Sequence, residues 1–240
     1  MLNVSSLYET IYNGEHWIEY RLLVEAEDNS TVEVNESELY LIRITEDMVG
    51  NKFSIGGASS AQIDVEMIAP VGWTPALMAK LQPQFRVVNR TQQSEWLPKG
   101  IFYIDTRDET KTNAQNRRMT IHGYDAMLMA EQDYPAVNWN TKSDASVLNE
   151  ICTNLGWTLD SETAAFFETT RAGYVLPTPF NYTYREVLQS IATVNCGNFV
   201  MDEYGHLRLV RFNALPTETY YLITPTGNYI TFGGDRIVLQ

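Results

Sequence analysis

The 240-residue chain reads as an α+β protein built mainly from antiparallel β structure. Three observations predict this. Gln62 to Ala69 alternates cleanly, with Ile63, Val65 and Met67 on one face and Asp64, Glu66 and Ile68 on the other, the signature of a half-buried strand. Aromatics make up 12% of the chain, with 14 tyrosines, and flat rings pack well on a pleated surface. From about Val137 onward, helical spacing interrupts the alternation and then gives way to it again.

Taken in order, residues 7–27 read as a hairpin, because Asn13-Gly14 is a strong two-residue turn signal between Tyr8, Ile11-Tyr12 and the run Trp17 to Val24. Glu27 to Ser30 is a second turn. Ser37 to Glu46 reads as a strand carrying Leu39, Leu41, Ile42 and Ile44, followed by a Gly50-Asn51 turn and a short strand at Phe53 to Gly57. Gly56-Gly57 permits a positive φ or a bulge. Pro70, Gly72, Pro75 and Pro83 mark residues 70–84 as a loop, with one helical turn at Ala76–Lys80. Phe85 to Asn89, Trp96 to Thr106 and Arg117 to Gly123 complete the strands, and the long polar stretch Asp108 to Asn116 is a turn. Asp125 is the expected N-cap of a short helix ending at Gln132.

The later texture differs. Ser143-Asp144 opens a helix with Val147, Leu148, Ile151 and Leu155 on one face and Gly156 at its end. Thr183 and Glu186 form a capping box before Val187, Leu188, Ile191 and Val194, and Gly197 again follows the end. Asn198 to Phe212 reads as a hairpin turning at Asp202 to Gly205. Three regions result: a hairpin and first barrel over 1–136, an inserted α+β domain over 137–212, and a β-like segment over 213–240.

Charge limits the function classes. The net charge is −13, and residues 1–50 hold eleven acids against two bases, Arg21 and Arg43. Such a surface repels a phosphate backbone, so specific nucleic-acid binding is disfavoured. The acidity suits either a solvated surface or the wall of a channel through which DNA slides. No charged leader with an apolar run opens the chain, and no window approaches the roughly 20 apolar residues of a membrane span, so no signal peptide and no membrane anchor are expected. Two cysteines, Cys152 and Cys196, both placed late in helical patterns, are no disulfide framework, and a reduced intracellular site of assembly is expected.

No catalytic, cofactor-binding or metal-binding residues are assigned. His16, His122 and His206 lack the i, i+4 or Cys-x-x-Cys partners of a metal site, and a structural role suits His122 better. Asp64 and Glu66 share a strand face, as acid–base pairs do, yet a solvated or subunit-facing strand explains them more simply. Turn chemistry accounts for Asp105, Asp108 and Glu109. Cys152 and Cys196 are not at helix N-termini, where a thiolate is stabilised. Gly56 to Ser60 lacks the Gly-Lys-Ser/Thr ending of a phosphate loop. Arg117-Arg118, the only basic pair, either flanks a turn or meets an acidic patch on a neighbouring subunit.

Read together, several segments resemble one family. The unit Ser94 to Glu131 runs strand, loop, strand ending Gly123-Tyr124-Asp125, then short helix. Ile63 to Met67 and Arg86-Val87-Val88 precede it, and Tyr184 to Ala192, then Asn198 to Asp202 and Gly205-His206-Leu207, follow it. In order and spacing these resemble the hub (tail-tip) proteins of phage and prophage tails and related contractile injection devices. The resemblance implies a tube-like first barrel, an inserted domain and a second barrel. It also implies a homotrimer that joins the tail tube protein to spike, fibre or tip proteins around a central channel through which DNA passes, in a virion tail assembled in the bacterial cytoplasm. Neither an enzymatic activity nor a cofactor is implied. The chain departs from the pattern after residue 213, where about 27 residues are too few for a complete second barrel. Either the hub is cut or split, or the N-terminal hairpin shares in that barrel. Two alternatives remain: a tail-tip cell-wall hydrolase, and a carbohydrate-binding β module using exposed aromatics such as Trp73 or Trp139.

Overall fold

In the computed structural model of the chain, the described residues are 4–25, 30–46, 55–69, 73–111, 117–135, 142–170, 175–176, 181–212, 220–221, 231–232, 235–236 and 238–239. The chain divides into two contact units, Met1–Val210 and Arg211–Gln240. The fold is α+β and mostly antiparallel.

The first element corrects the expected hairpin. Ser6–Tyr12 is a helix, α1, not a strand. The Ser5 hydroxyl accepts the Tyr8 N–H and caps it, and Tyr8 and Tyr12, one turn apart, stack at 5.7 Å. Asn13-Gly14 therefore closes a helix rather than a hairpin, with the Gly14 N–H donating to the Ile11 carbonyl. Ile11 is buried, and α1 packs on the sheet.

Strand β1 (Trp17–Glu25) pairs antiparallel with β2 (Thr31–Asn35), a 3-10 turn at Glu36–Glu38 leads into β3 (Leu39–Thr45), and β4 (Gln62–Ile68) pairs with β3. The readings at Gly50-Asn51 and Phe53 lie outside the described residues. β5 (Lys80–Val88) begins five residues earlier than expected, so the helical turn at Ala76–Lys80 is absent and Pro83 sits inside a strand. Pro83 is tolerated because β5 meets β7 only at Lys80 and Leu81, and β6 only at Gln84 and Phe85, so its missing donor falls in a gap of the ladder. The expected strand Trp96 to Thr106 is two: β6 (Leu97–Pro98) and β7 (Phe102–Lys111), parted at Gly100 where φ is 109°. β7 also runs through Asp108 into the expected turn, whose tip lies outside the described residues. β8 (Arg117–Asp125) pairs with β7 and β4. Opposite Gly123, β7 is bulged between Ile104 and Thr106, and a Cβ on Gly123 would lie 2.5 Å from the Tyr103 carbonyl oxygen. The glycine of the Gly-Tyr-Asp motif is thus a matter of backbone approach.

The sheet runs β2-β1-β5-β7-β8-β4-β3, with β6 beside β5. Laid flat, seven strands would part their outer members by roughly 29 Å at about 4.8 Å per step. Yet β2 and β3 are joined by three residues, and Asn35 to Leu39 can span only ~14 Å. The sheet therefore curls until its two ends approach. Its concave face holds one core, with Leu22, Val24, Ile63, Val65, Met67, Leu81, Phe102, Ile104, Met119 and Ile121 all buried. The curl stops short of the expected tube-like barrel: among the described residues no pairing joins β2 to β3.

Asp125 caps a 3-10 helix over Ala126–Glu131 by accepting the Met127 N–H. Beyond it come β9 (Lys142–Ser143), α2 (Asp144–Leu155), α3 (Ser161–Thr170), β10 (Val175–Leu176, paired with β9) and α4 (Tyr184–Val194). The hairpin β11 (Gly197–Met201) and β12 (Leu207–Arg211) follows. Ser143 caps α2, Gly156 ends it, and the Thr183–Glu186 capping box opens α4, each as its sequence predicts. α3 has no counterpart in the sequence reading. Its start is set by Asp160, whose carboxylate accepts the Thr163 N–H. Gly197 does not end α4 but opens β11. Val147, Leu148, Ile151, Phe167, Leu188, Ile191, Phe199 and Leu207 form a second core, which Ala58 and Met127 join. In the second unit, β13 (Tyr220–Tyr221) pairs with β16 (Val238–Leu239), and β14 (Thr231–Phe232) with β15 (Asp235–Arg236).

Candidate functional site

Among the described residues, those singled out in sequence do not converge on one metal-binding cluster. Asp64 and Glu66 face neighbours across the β4–β8 ladder, not one another's chemistry. His122 Nδ1 lies 2.8 Å from Asp64 Oδ1, and its ring packs edge-on against Tyr124 at 4.9 Å. Glu66 pairs with Arg118. Arg117 grips Glu109 with two nitrogens, at 2.8 and 2.6 Å, and donates to the Trp73 carbonyl and the Thr74 hydroxyl. Both arginines of the basic pair are engaged within the chain, across strands. This face is a register-setting ladder of charges.

His16 Nδ1 lies against the Gly14 carbonyl at 2.9 Å, and His206 Nδ1 lies 3.4 Å from Asp202. The Asp202 carboxylate accepts the N–H groups of Tyr204 and His206 and contacts Arg208, so it builds the β11–β12 turn. Among the described residues no group of three or more His, Cys, Asp or Glu is placed to hold a metal ion, and no helix is long and apolar enough to cross a membrane. Cys152 is buried in α2, where burial pushes its thiol up to about 11. Cys196 is exposed in the turn after α4, outside any helix, contrary to the sequence expectation. Trp73 packs against the sheet core and is no free stacking platform, and Trp139 lies outside the described residues.

Two features were not read as sites in sequence. The first is the joint between the curled sheet and the helical layer. The segment Gly56 to Ser59 runs along β11: Gly56 N–H donates to the Gly197 carbonyl at 2.9 Å, Phe199 N–H to Gly57 at 2.9 Å, and Ser59 N–H to Phe199 at 3.2 Å. Gly56 has φ 91°, and a Cβ there would fall 2.1 Å from the Thr193 hydroxyl, so the double glycine is a docking strip. Arg185 of α4 straps the joint, donating to the carbonyls of Ala58 and Met127, the Ser60 hydroxyl and Glu131. Asp125, 3% exposed, accepts the N–H groups of Ala61 at 2.8 Å and Met127 at 3.0 Å through its two oxygens. Burial pushes its carboxyl up to about 6, against the pull of those two N–H bonds and the Arg185 charge. An arginine two residues after a capping threonine, on a helix with an otherwise apolar face, is the available signal.

The second feature is a groove of about 630 Å³ on the concave side of the sheet, lined by Tyr20, Leu39, Ile42, Ile44, Pro83 and Phe85. It lies where the two ends of the curled sheet face one another.

The fold is that of two tail proteins of known structure. A 43 kDa tail protein of prophage MuSo2 from Shewanella oneidensis matches with a TM-score of 0.52 at 14% identity, over 82% of this chain and 56% of that one. A tail protein from Neisseria meningitidis MC58 matches with a TM-score of 0.50 at 13% identity, over 82% of this chain and 53% of that one. The chain thus spans a little over half the length of each. No protein-family model and no curated protein matches the sequence.

Proposed function

We propose that the chain is a structural component of a phage or prophage tail, a hub-type subunit that joins the tail tube to spike, fibre or tip proteins around a central channel. The observation that carries the reading is the architecture itself. A curled antiparallel sheet is strapped to a helical layer, and 82% of the chain superposes on the prophage tail protein. In this reading residues 1–136 supply a tube-like wall segment, 137–212 an inserted domain, and three copies assemble. The side chains fit that role: Asp64, Glu66, His122, Arg117, Arg118, Asp202 and Arg185 are engaged in cross-strand pairs, a turn and the joint.

Light scattering over a concentration series tests it. The expected result is a trimeric mass, with rings in negative-stain images and co-sedimentation with tube protein. A strict monomer at high concentration that ignores the tube protein would overturn the reading.

A further inference from the structure

We propose that the groove between β1 and β3 is a strand-accepting seam. Its occupant is an extended segment of another protein, apolar at alternate positions and carrying Lys or Arg at each end. This stands on the sheet geometry alone and does not depend on the tail reading.

Two backbone edges border the seam. β3 pairs with β4 on one side only, and its other edge has no partner among the described residues. β2 covers β1 only from Arg21 to Glu25, which leaves Trp17 to Tyr20 bonded to β5 on one side and, among the described residues, without a strand partner on the other. An open edge offers a row of unmet N–H and C=O groups, and proteins normally guard such edges with charges, prolines or bulges. The β3 sequence Leu-Tyr-Leu-Ile-Arg-Ile-Thr holds one charge and no proline, and its one irregularity lies at Leu39/Leu41. Large apolar side chains stand exposed along both borders: Ile18 is 38% exposed, Tyr20 46% and Tyr40 64%. A strand laid here would bond to both edges and extend the curl toward closure, the mode of strand addition used by many peptide-binding sheets.

Charge selects the occupant. Glu36 and Glu46 line the groove and flank β3 at its two ends, about 23 Å of strand at ~3.3 Å per residue. Both are exposed, and neither has an ion pair among the described residues, whereas Glu19, Glu25 and Glu33 nearby are all paired. The one base lining the groove among the described residues, Lys99, sits over the Phe85 ring at 5.5 Å. A second copy of a chain with net charge −13 is repelled from such a rim, while cationic ends are drawn to it.

The test uses heptapeptides of the form Xaa-Val-Thr-Ile-Thr-Val-Xaa with blocked termini, with Xaa as Lys or as Glu, read by fluorescence anisotropy on the full chain. The Lys-ended peptide should bind about tenfold or more tighter than the Glu-ended one. Methylating alternate backbone nitrogens should abolish binding, because it removes the donors a sheet edge needs. The double variant Glu36→Lys/Glu46→Lys, altered at exposed positions, should reverse the preference. Equal binding of all peptides, or no binding of any, overturns the proposal. So does self-association that Tyr40→Lys abolishes and the Lys-ended peptide does not compete away, since a second copy would then fill the seam.

Discussion

Asp125 ties the sheet to the helical layer with a carboxylate that burial makes unwilling to ionise, so the joint should weaken as pH rises. Its carboxyl stands at about 6 in the folded chain against an ordinary 3.8. Between those values the folded state holds the proton more tightly than the unfolded state does. The associated stabilisation is present in full below about pH 4 and is lost as pH rises through 6. Two pH units of difference correspond to about 3 kcal/mol at 1.36 kcal/mol per unit. Asp125→Asn removes the titration. It also replaces one of the two accepting oxygens, which serve Ala61 and Met127, by a donor, at a cost of roughly 1–3 kcal/mol for the N–H left unmet. Urea unfolding at intervals from pH 4 to 8 reads both effects. Relative to the parent, the variant should be least stable near pH 4 and should gain on it through pH 6, ending near parity at pH 8. A constant difference across that range would refute the account, because the parent would then carry no titration at this carboxyl.

Three further outcomes follow from the same joint and its surroundings. Arg185→Ala removes donors to four groups and should cost about 3 kcal/mol, as charged hydrogen bonds are worth roughly 1.5–3 each and are not additive; it should also carry the Asp125 transition to higher pH, which the same urea series detects. Gly56→Ala should destabilise by about 2 kcal/mol or more through its positive φ and the contact with Thr193, and adding Thr193→Ala should recover only the contact, as thermal melts would show. A thiol reagent should label Cys196 rapidly in the native protein and Cys152 only on unfolding; equal rates would contradict the burial of Cys152.

How legible this was varied with the range of the forces. β4, α2, α4 and the last hairpin could be read directly, because each is set by a local pattern: strict alternation, a serine cap, a capping box, an Asp-Gly turn. α1 is not legible from its turn because Asn-Gly closes hairpins and helices alike, and the deciding signals, Ser5 and the i, i+4 spacing of Tyr8 and Tyr12, lie upstream of it. The start of β5 is hidden in the sequence because Pro83 looks like a strand breaker until the ladder gap beside it is known. The joint was invisible for a different reason. Gly56 and Asn198, or Ala61 and Asp125, are distant in sequence, and only the folded register makes a flexible glycine pair into a docking strip.

The acidity of the first fifth of the chain illustrates how placement changes the meaning of composition. Glu19 pairs with Arg86 at 2.7 Å and Glu33 with Arg21 at 3.1 Å, each across a strand boundary of the sheet. The Trp96 ring packs against both guanidinium groups, each 4.4 Å from its centre. Exposed or half-exposed pairs like these add only about 0–1 kcal/mol each, so stability does not explain them. Register does. Slipping β1 against β5 by one residue would carry Glu19 and Arg21 to the concave face, among Leu81, Phe102 and Ile63, where an unpaired charge has no partner. The sheet needs such a safeguard because its outer strands, β2 and β3, have one-sided pairing among the described residues. With Arg21, Arg86 and Lys80 engaged by Glu33, Glu19 and Glu25, Glu36 and Glu46 are acids of the seam without an ion pair among the described residues.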